Sequence, residues 1–114
     1  MIELLFKLII GHFVSDYTLQ SGDMARGKSR HYQPSFAKSA KLPSTMWVYW
    51  LTSHAMTNAG IVWLITDNML VAFLELVLHW IIDFLKTEGR TNLHADQMLH
   101  LICKILYVVL IYFI

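Results

Sequence analysis

The stretch from Met69 to Leu85, MLVAFLELVLHWIIDFL, sets the problem for the whole chain. It is apolar almost throughout, yet Glu75, His79 and Asp83 recur at every fourth residue. Residues four apart on an α-helix lie on one face, so the spacing predicts a helix carrying His79 and Asp83 side by side. Taken by itself this segment is short and ionisable enough to be a buried helix of a soluble protein. Three further apolar stretches change that reading: Ile2 to Leu19, Thr45 to Ile65 and Gln97 to Ile114. Each is near the ~20 residues needed to cross a ~30 Å hydrocarbon layer. Together they predict helices at about residues 2–20, 45–66, 69–86 and 96–114.

Composition points the same way. A chain of 114 residues that is 56% hydrophobic and 15% charged, with mean hydropathy +0.49, is too oily for a soluble domain of that size, whose interior is small. Low charge, few Gly and Pro, and the single Cys103 argue against disorder, a collagen-like repeat or a disulfide framework. No secretory signal is evident at the start. The expected class is all-α: an integral membrane four-helix up-down bundle forming one domain over residues 1–114.

Net charge is only +1, but Arg26, Lys28, Arg30, Lys38 and Lys41 gather in the 21–44 connection against the single acid Asp23. Lys86 and Arg90 make the connection after the third helix basic as well. By the positive-inside rule both lie in the cytoplasm, which places both termini in the periplasm of a bacterial inner membrane. Trp63, Tyr107, Tyr112 and Phe113 are then candidates for one interface and Trp47, Tyr49 and Trp50 for the other, with plain packing an equal alternative. Nothing in the charge pattern calls for specific nucleic-acid binding. Homo-oligomerisation is compatible with four short helices and stays open.

The ionisable residues within the spans carry the functional argument. His12/Asp16, His79/Asp83 and Asp96/His100 repeat one separation, and the proposed topology brings all three pairs to the cytoplasmic end. His54, some ten residues into the second helix, can form their floor. Polar groups in hydrocarbon are costly unless partnered, so these seven side chains are expected to face inward and each other. Imidazole with carboxylate suits zinc, manganese or iron better than calcium or magnesium. The expected metal ligands are therefore His12, Asp16, His54, His79, Asp83, Asp96 and His100, holding one or two ions. Behind them stand Gln20, Glu75, Gln97, Asn58 and Lys104.

Other readings compete. Asp96 also sits where a helix N-cap is expected. His54 alone could be a packing residue. Glu75 and Lys104 could form an interior ion pair. His31 and His94 read as solvated, Glu3 and Lys7 as reaching headgroups, and Cys103 as apolar filler.

The sequence Gly11-His12-Phe13-Val14-Ser15-Asp16-Tyr17-Thr18-Leu19-Gln20, with Met24-Ala25-Arg26 and Lys28, then His54, then His79 to Asp83 and Lys86, then Asp96-Gln97-Met98-Leu99-His100, resembles a family of small bacterial and phage membrane proteins known by a domain of unknown function. More distantly it is similar to bacterial membrane-bound metal-dependent hydrolases. The resemblance implies a polytopic membrane protein with a metal centre. It departs from the family in a longer basic 30–43 segment and a lone histidine in the second helix.

These readings lead to a metal-dependent hydrolase at the cytoplasmic membrane surface, with Asp16 and Gln20 nearest the chemistry. A bound ion would generate hydroxide near neutral pH, and the basic connection would gather a phosphate-bearing lipid or nucleotide. The alternative is a non-catalytic membrane interaction protein, such as a phage modulator of a host envelope or defence component, whose polar cluster is structural. Haem ligation and ion transport are weaker expectations, because the histidines are paired with carboxylates and the cluster lies at one end.

Overall fold

The computed structural model describes every residue except 33, 34 and 36–38, so Lys38 of the basic connection lies outside the described residues. The described residues are all-helical: α1 (Ile2–Phe13), a π-helical turn (Val14–Thr18), α2 (Gly22–Gly27), α3 (Met46–Thr66), α4 (Met69–Thr87) and α5 (Leu93–Phe113).

Local chemistry sets the boundaries. After α3 the chain reverses at Asp67, which takes a left-handed conformation (φ 50°) and donates its N–H to the Trp63 carbonyl at 2.8 Å. Asn68 then caps α4, its side chain accepting from the Val71 N–H at 3.1 Å. Gly89, at φ 74°, turns the chain after α4, a conformation glycine adopts without side-chain strain. Asn92 caps α5 by accepting from the Ala95 N–H at 2.8 Å. The fourth long helix thus begins at Leu93 rather than near residue 96. Asp96 is not its cap but lies one turn inside, fully buried.

These short connections make α3, α4 and α5 antiparallel neighbours. The first helix closes the ring: α1 packs on α3 and α5, and α4 packs on the same two helices from the other side. Gly11 is where α1 and α3 come closest, since a Cβ there would stand 2.6 Å from Ile61 Cγ2 and 2.8 Å from Ile65 Cδ1. We expect Gly11→Leu to push the two helices apart and to cost about 1–3 kcal/mol. Thermal unfolding of the purified protein reads this cost, and adding Ile61→Ala should recover part of it.

Toward the Asp67 end the interior is apolar, with Leu8, Val62, Val71 and Val108 packed on Leu4, Leu5 and Ile65. Toward the other end it is polar. Tyr107, an expected interface anchor, is instead fully buried and donates its hydroxyl to Glu75. Trp63 and Phe113 are exposed, while Trp47 packs beside Trp80 and Phe84. Cys103 is buried and free.

Of the four stretches expected to span a bilayer, only Leu93–Phe113 is long and apolar enough to do so on length and composition alone. The reasons are visible in the others. Only twelve residues of the first stretch are regular α-helix, and α4 carries Glu75, Asp83 and Lys86 in nineteen residues.

Candidate metal centre

The centre begins with an irregularity in the first helix. Ser15 Oγ lies 2.9 Å from the Gly11 carbonyl and 3.2 Å from the His12 carbonyl, and it also bonds Asn58 Oδ1 on α3. A hydroxyl competing for backbone carbonyls loosens the α-helical ladder. The chain widens here into the π-helical turn, closed by Leu19 N–H on the Val14 carbonyl at 2.9 Å. Asp16 sits inside that wide turn and points into the bundle, buried to 5% exposure.

All seven residues expected as ligands converge there. Asp16 Oδ1 faces His54 Nε2 at 3.1 Å and His79 Nε2 at 3.3 Å. Asp83 Oδ2 faces His54 Nε2 at 3.2 Å, and Asp83 Oδ1 faces His100 Nε2 at 3.2 Å. Asp96 Oδ1 stands 3.6 Å from the same His100 nitrogen. The His79 and His100 rings are 4.2 Å apart and those of His54 and His79 are 4.9 Å apart. Among the described residues, three groups could hold an ion, the donor atoms of each lying within 4.8 Å of one another: Asp16, His79 and His100; His54, His79 and Asp83; and Asp83, Asp96 and His100. His12 stands beside these groups, its Nε2 3.0 Å from Gln97 Oε1 and 3.6 Å from Asp16 Oδ2.

The donor set fits a cation by its geometry. Among the described residues, His79 Nε2 and Asp96 Oδ1 are buried without a hydrogen-bond partner although both point into the cluster. Such orphaned polar atoms are rare in folded interiors and ask for an explanation. His79 Nδ1 lies 3.1 Å from Glu75 Oε1. A proton held on Nδ1 by that carboxylate leaves the Nε2 lone pair for a metal, the usual arrangement of a carboxylate behind a histidine ligand. Glu75 is itself held by Lys104 Nζ and by the Tyr107 hydroxyl, both at 2.7 Å.

Two lysines complete the cluster. Lys86 Nζ reaches Asp96 Oδ2 at 3.2 Å. Lys28, counted in the sequence among the exposed charges of the basic connection, is buried: its Nζ lies 2.7 Å from Asp83 Oδ2 and 2.7 Å from Gln20 Oε1. Gln20, expected to be catalytic, also donates from its Nε2 to the Asp16 carbonyl at 3.1 Å. It positions Lys28 instead of facing the donors. Gln97 donates to Asp16 Oδ2 at 3.2 Å and to Asp96 Oδ2 at 3.1 Å.

Outside the bundle, Arg30 and His31 fold back onto Glu88 at 2.5 and 2.9 Å. The Arg30 guanidinium, with His31, holds the Glu88 carboxyl below its ordinary value. His94 is exposed.

A family described as "Protein of unknown function (DUF3307)" matches residues 4–114. No curated protein matches the chain, and no solved structure does. The chain belongs to the DUF3307 family.

Proposed function

We propose that this DUF3307 protein is an integral membrane bundle of four antiparallel helices. In this reading it binds a divalent transition metal, zinc, manganese or iron, and uses it to hydrolyse a phosphate-bearing lipid or nucleotide. The observation that carries the metal reading is the convergence of buried imidazole and carboxylate donors from the π-helical turn, α3, α4 and α5, with His12 of α1 beside them. Thiolates are absent from the set, and imidazole with carboxylate is the donor chemistry of borderline divalent ions.

The bilayer is supported by an inverted distribution of polarity. Ile2, Leu64, Phe73, Ile102 and Phe113 face outward, whereas His79, Asp83, Asp96 and Lys104 are fully buried. Water rewards the opposite arrangement, and large exposed apolar surfaces mark contact with another apolar phase. The basic connections then put the metal end in the cytoplasm and both termini in the periplasm.

An ion held by these residues would supply a water activated near neutral pH. Asp16 is the acid best suited to receive the proton, because no lysine among the described residues is paired with it and it is the least buried of the three aspartates. Lys28 and Lys86 flank the donors with positive charge suited to phosphate oxygens. The test is turnover by metal-loaded protein in mixed micelles, with p-nitrophenyl phosphate and phosphatidic acid as separate probes. Native protein should release product, and Asp16→Asn should lower the rate by roughly 10²–10⁴-fold, the size of a general-base contribution. Metal-loaded protein without turnover on either probe would leave the non-catalytic reading, which the near-complete burial of the donors favours.

A further inference from the structure

We infer that Lys28 is a built-in cation standing in for a second metal ion beside Asp83, so that the centre takes one ion while Lys28 is in place and two when its charge is removed. This rests on the cluster being a metal centre. Burial is the first observation. A lysine is almost never fully buried unless it is paired, yet Lys28 is only 3% exposed. Its ammonium lies 2.7 Å from Asp83 Oδ2. That same oxygen faces His54 Nε2 at 3.2 Å and His79 Nε2 at 3.6 Å. The lysine charge therefore sits on the oxygen that the group formed by His54, His79 and Asp83 has for an ion.

Charge balance identifies the position that remains. Among the described residues, four buried carboxylates face the polar interior: Asp16, Glu75, Asp83 and Asp96. Three of them carry a lysine: Glu75 pairs with Lys104 at 2.7 Å, Asp83 with Lys28 at 2.7 Å and Asp96 with Lys86 at 3.2 Å. The Asp16 carboxylate, again among the described residues, is met only by histidines and by the amide of Gln97. One dication already offsets the charge of Asp16. A second dication would leave excess positive charge in the interior, which is strongly disfavoured away from water. The group Asp16, His79 and His100 is thus the place for the first ion; His79 Nε2 would serve that ion alone, and a second would be held by His54 Nε2 and Asp83 Oδ2, with Asp16 Oδ1, 3.1 Å from His54 Nε2, shared between the two.

The placement of Lys28 is built into the packing. Ser21 caps the short helix α2, its hydroxyl accepting from the Met24 N–H at 3.1 Å. Gly27, the last residue of α2, lies so close to Trp50 that a Cβ would stand 2.9–3.1 Å from the indole ring. Only a residue without a side chain lets the connection seat this deeply, and Lys28 follows it directly into the cluster.

The experiment is ion stoichiometry. Full-length protein in detergent is loaded with excess Zn²⁺ or Mn²⁺, desalted and analysed by elemental mass spectrometry. Native protein should retain one ion per chain and Lys28→Met two, and Lys28→Met combined with His54→Ala should return to one. Two ions in the native protein, or one in folded Lys28→Met, overturns the inference while the metal centre stands. No ion in any chain overturns the metal reading itself. If Lys28→Met does not fold, Lys28→Gln provides the same comparison, because it removes the charge and keeps a polar group beside Gln20.

Discussion

Replacing His79 by alanine is expected to abolish tight metal binding while leaving the helical content unchanged. His79 belongs to two of the three donor groups, and its Nε2 is buried with no hydrogen-bond partner although it is 3.3 Å from Asp16 and 3.6 Å from Asp83. The neighbouring rings of His54 and His100 are already engaged with Asp16 and Asp83. Removing a residue that merely supports a ligand typically weakens metal affinity by about 10–100-fold, and losing the ligand itself should exceed that. Competition with a chelator of known affinity measures the change, and circular dichroism checks the fold. Glu75→Gln combined with Lys104→Met supplies the internal comparison, because it changes the group behind His79 without leaving a buried charge unpaired. A His79→Ala protein that still holds its ion against the chelator would remove His79 from the centre.

The second large effect is expected at Lys104. Its ammonium is fully buried and lies 2.7 Å from Glu75 Oε1, with Tyr107 on the other carboxylate oxygen. Lys104→Met leaves Glu75 ionised in the interior with one neutral hydroxyl and one imidazole, and breaking a buried pair in this way costs about 3–5 kcal/mol. Glu75→Gln combined with Lys104→Met removes both charges and should restore most of the loss. A double-mutant cycle on thermal unfolding isolates the coupling between the two residues. Additive losses would mean that the two charges do not stabilise each other.

Much of the centre could be read from spacing. His12/Asp16, His79/Asp83 and Asp96/His100 each fall four apart, and antiparallel helices then leave one level of the bundle where they can meet. The interior pairing of Glu75 with Lys104 was also open to inspection. Tyr107 was within reach too: counting back from it by three and seven gives Lys104 and His100, which places it on the buried stripe of α5 rather than at an interface. The Asn92 cap carried a signal as well, an asparagine directly before an apolar run.

What could not be read depended on contacts distant in sequence. The burial of Lys28 follows from Gly27 meeting Trp50, and no local pattern separates that lysine from Arg26 or Arg30. The π-helical turn coincides with the contact of Ser15 to Asn58 on another helix, which no local pattern shows. Of the four expected spans, one, Leu93–Phe113, has the length and composition to cross a bilayer. In the others, the π-helical turn cuts the first helix short, α3 places His54 and Asn58 in the interior, and α4 carries Glu75, Asp83 and Lys86.

The widened turn around Asp16 changes the phase of the first helix without bending the chain out of the bundle. Each residue of an ordinary helix advances by about 100°, so the extra residue absorbed there resets the direction in which everything after His12 points. Chain length between His12 and Asp16 is consequently under tighter constraint than the identity of Phe13 or Val14, which face outward. Deleting either one would heal the helix into regular geometry and rotate the aspartate off the histidines, an error that no change of side chain could correct.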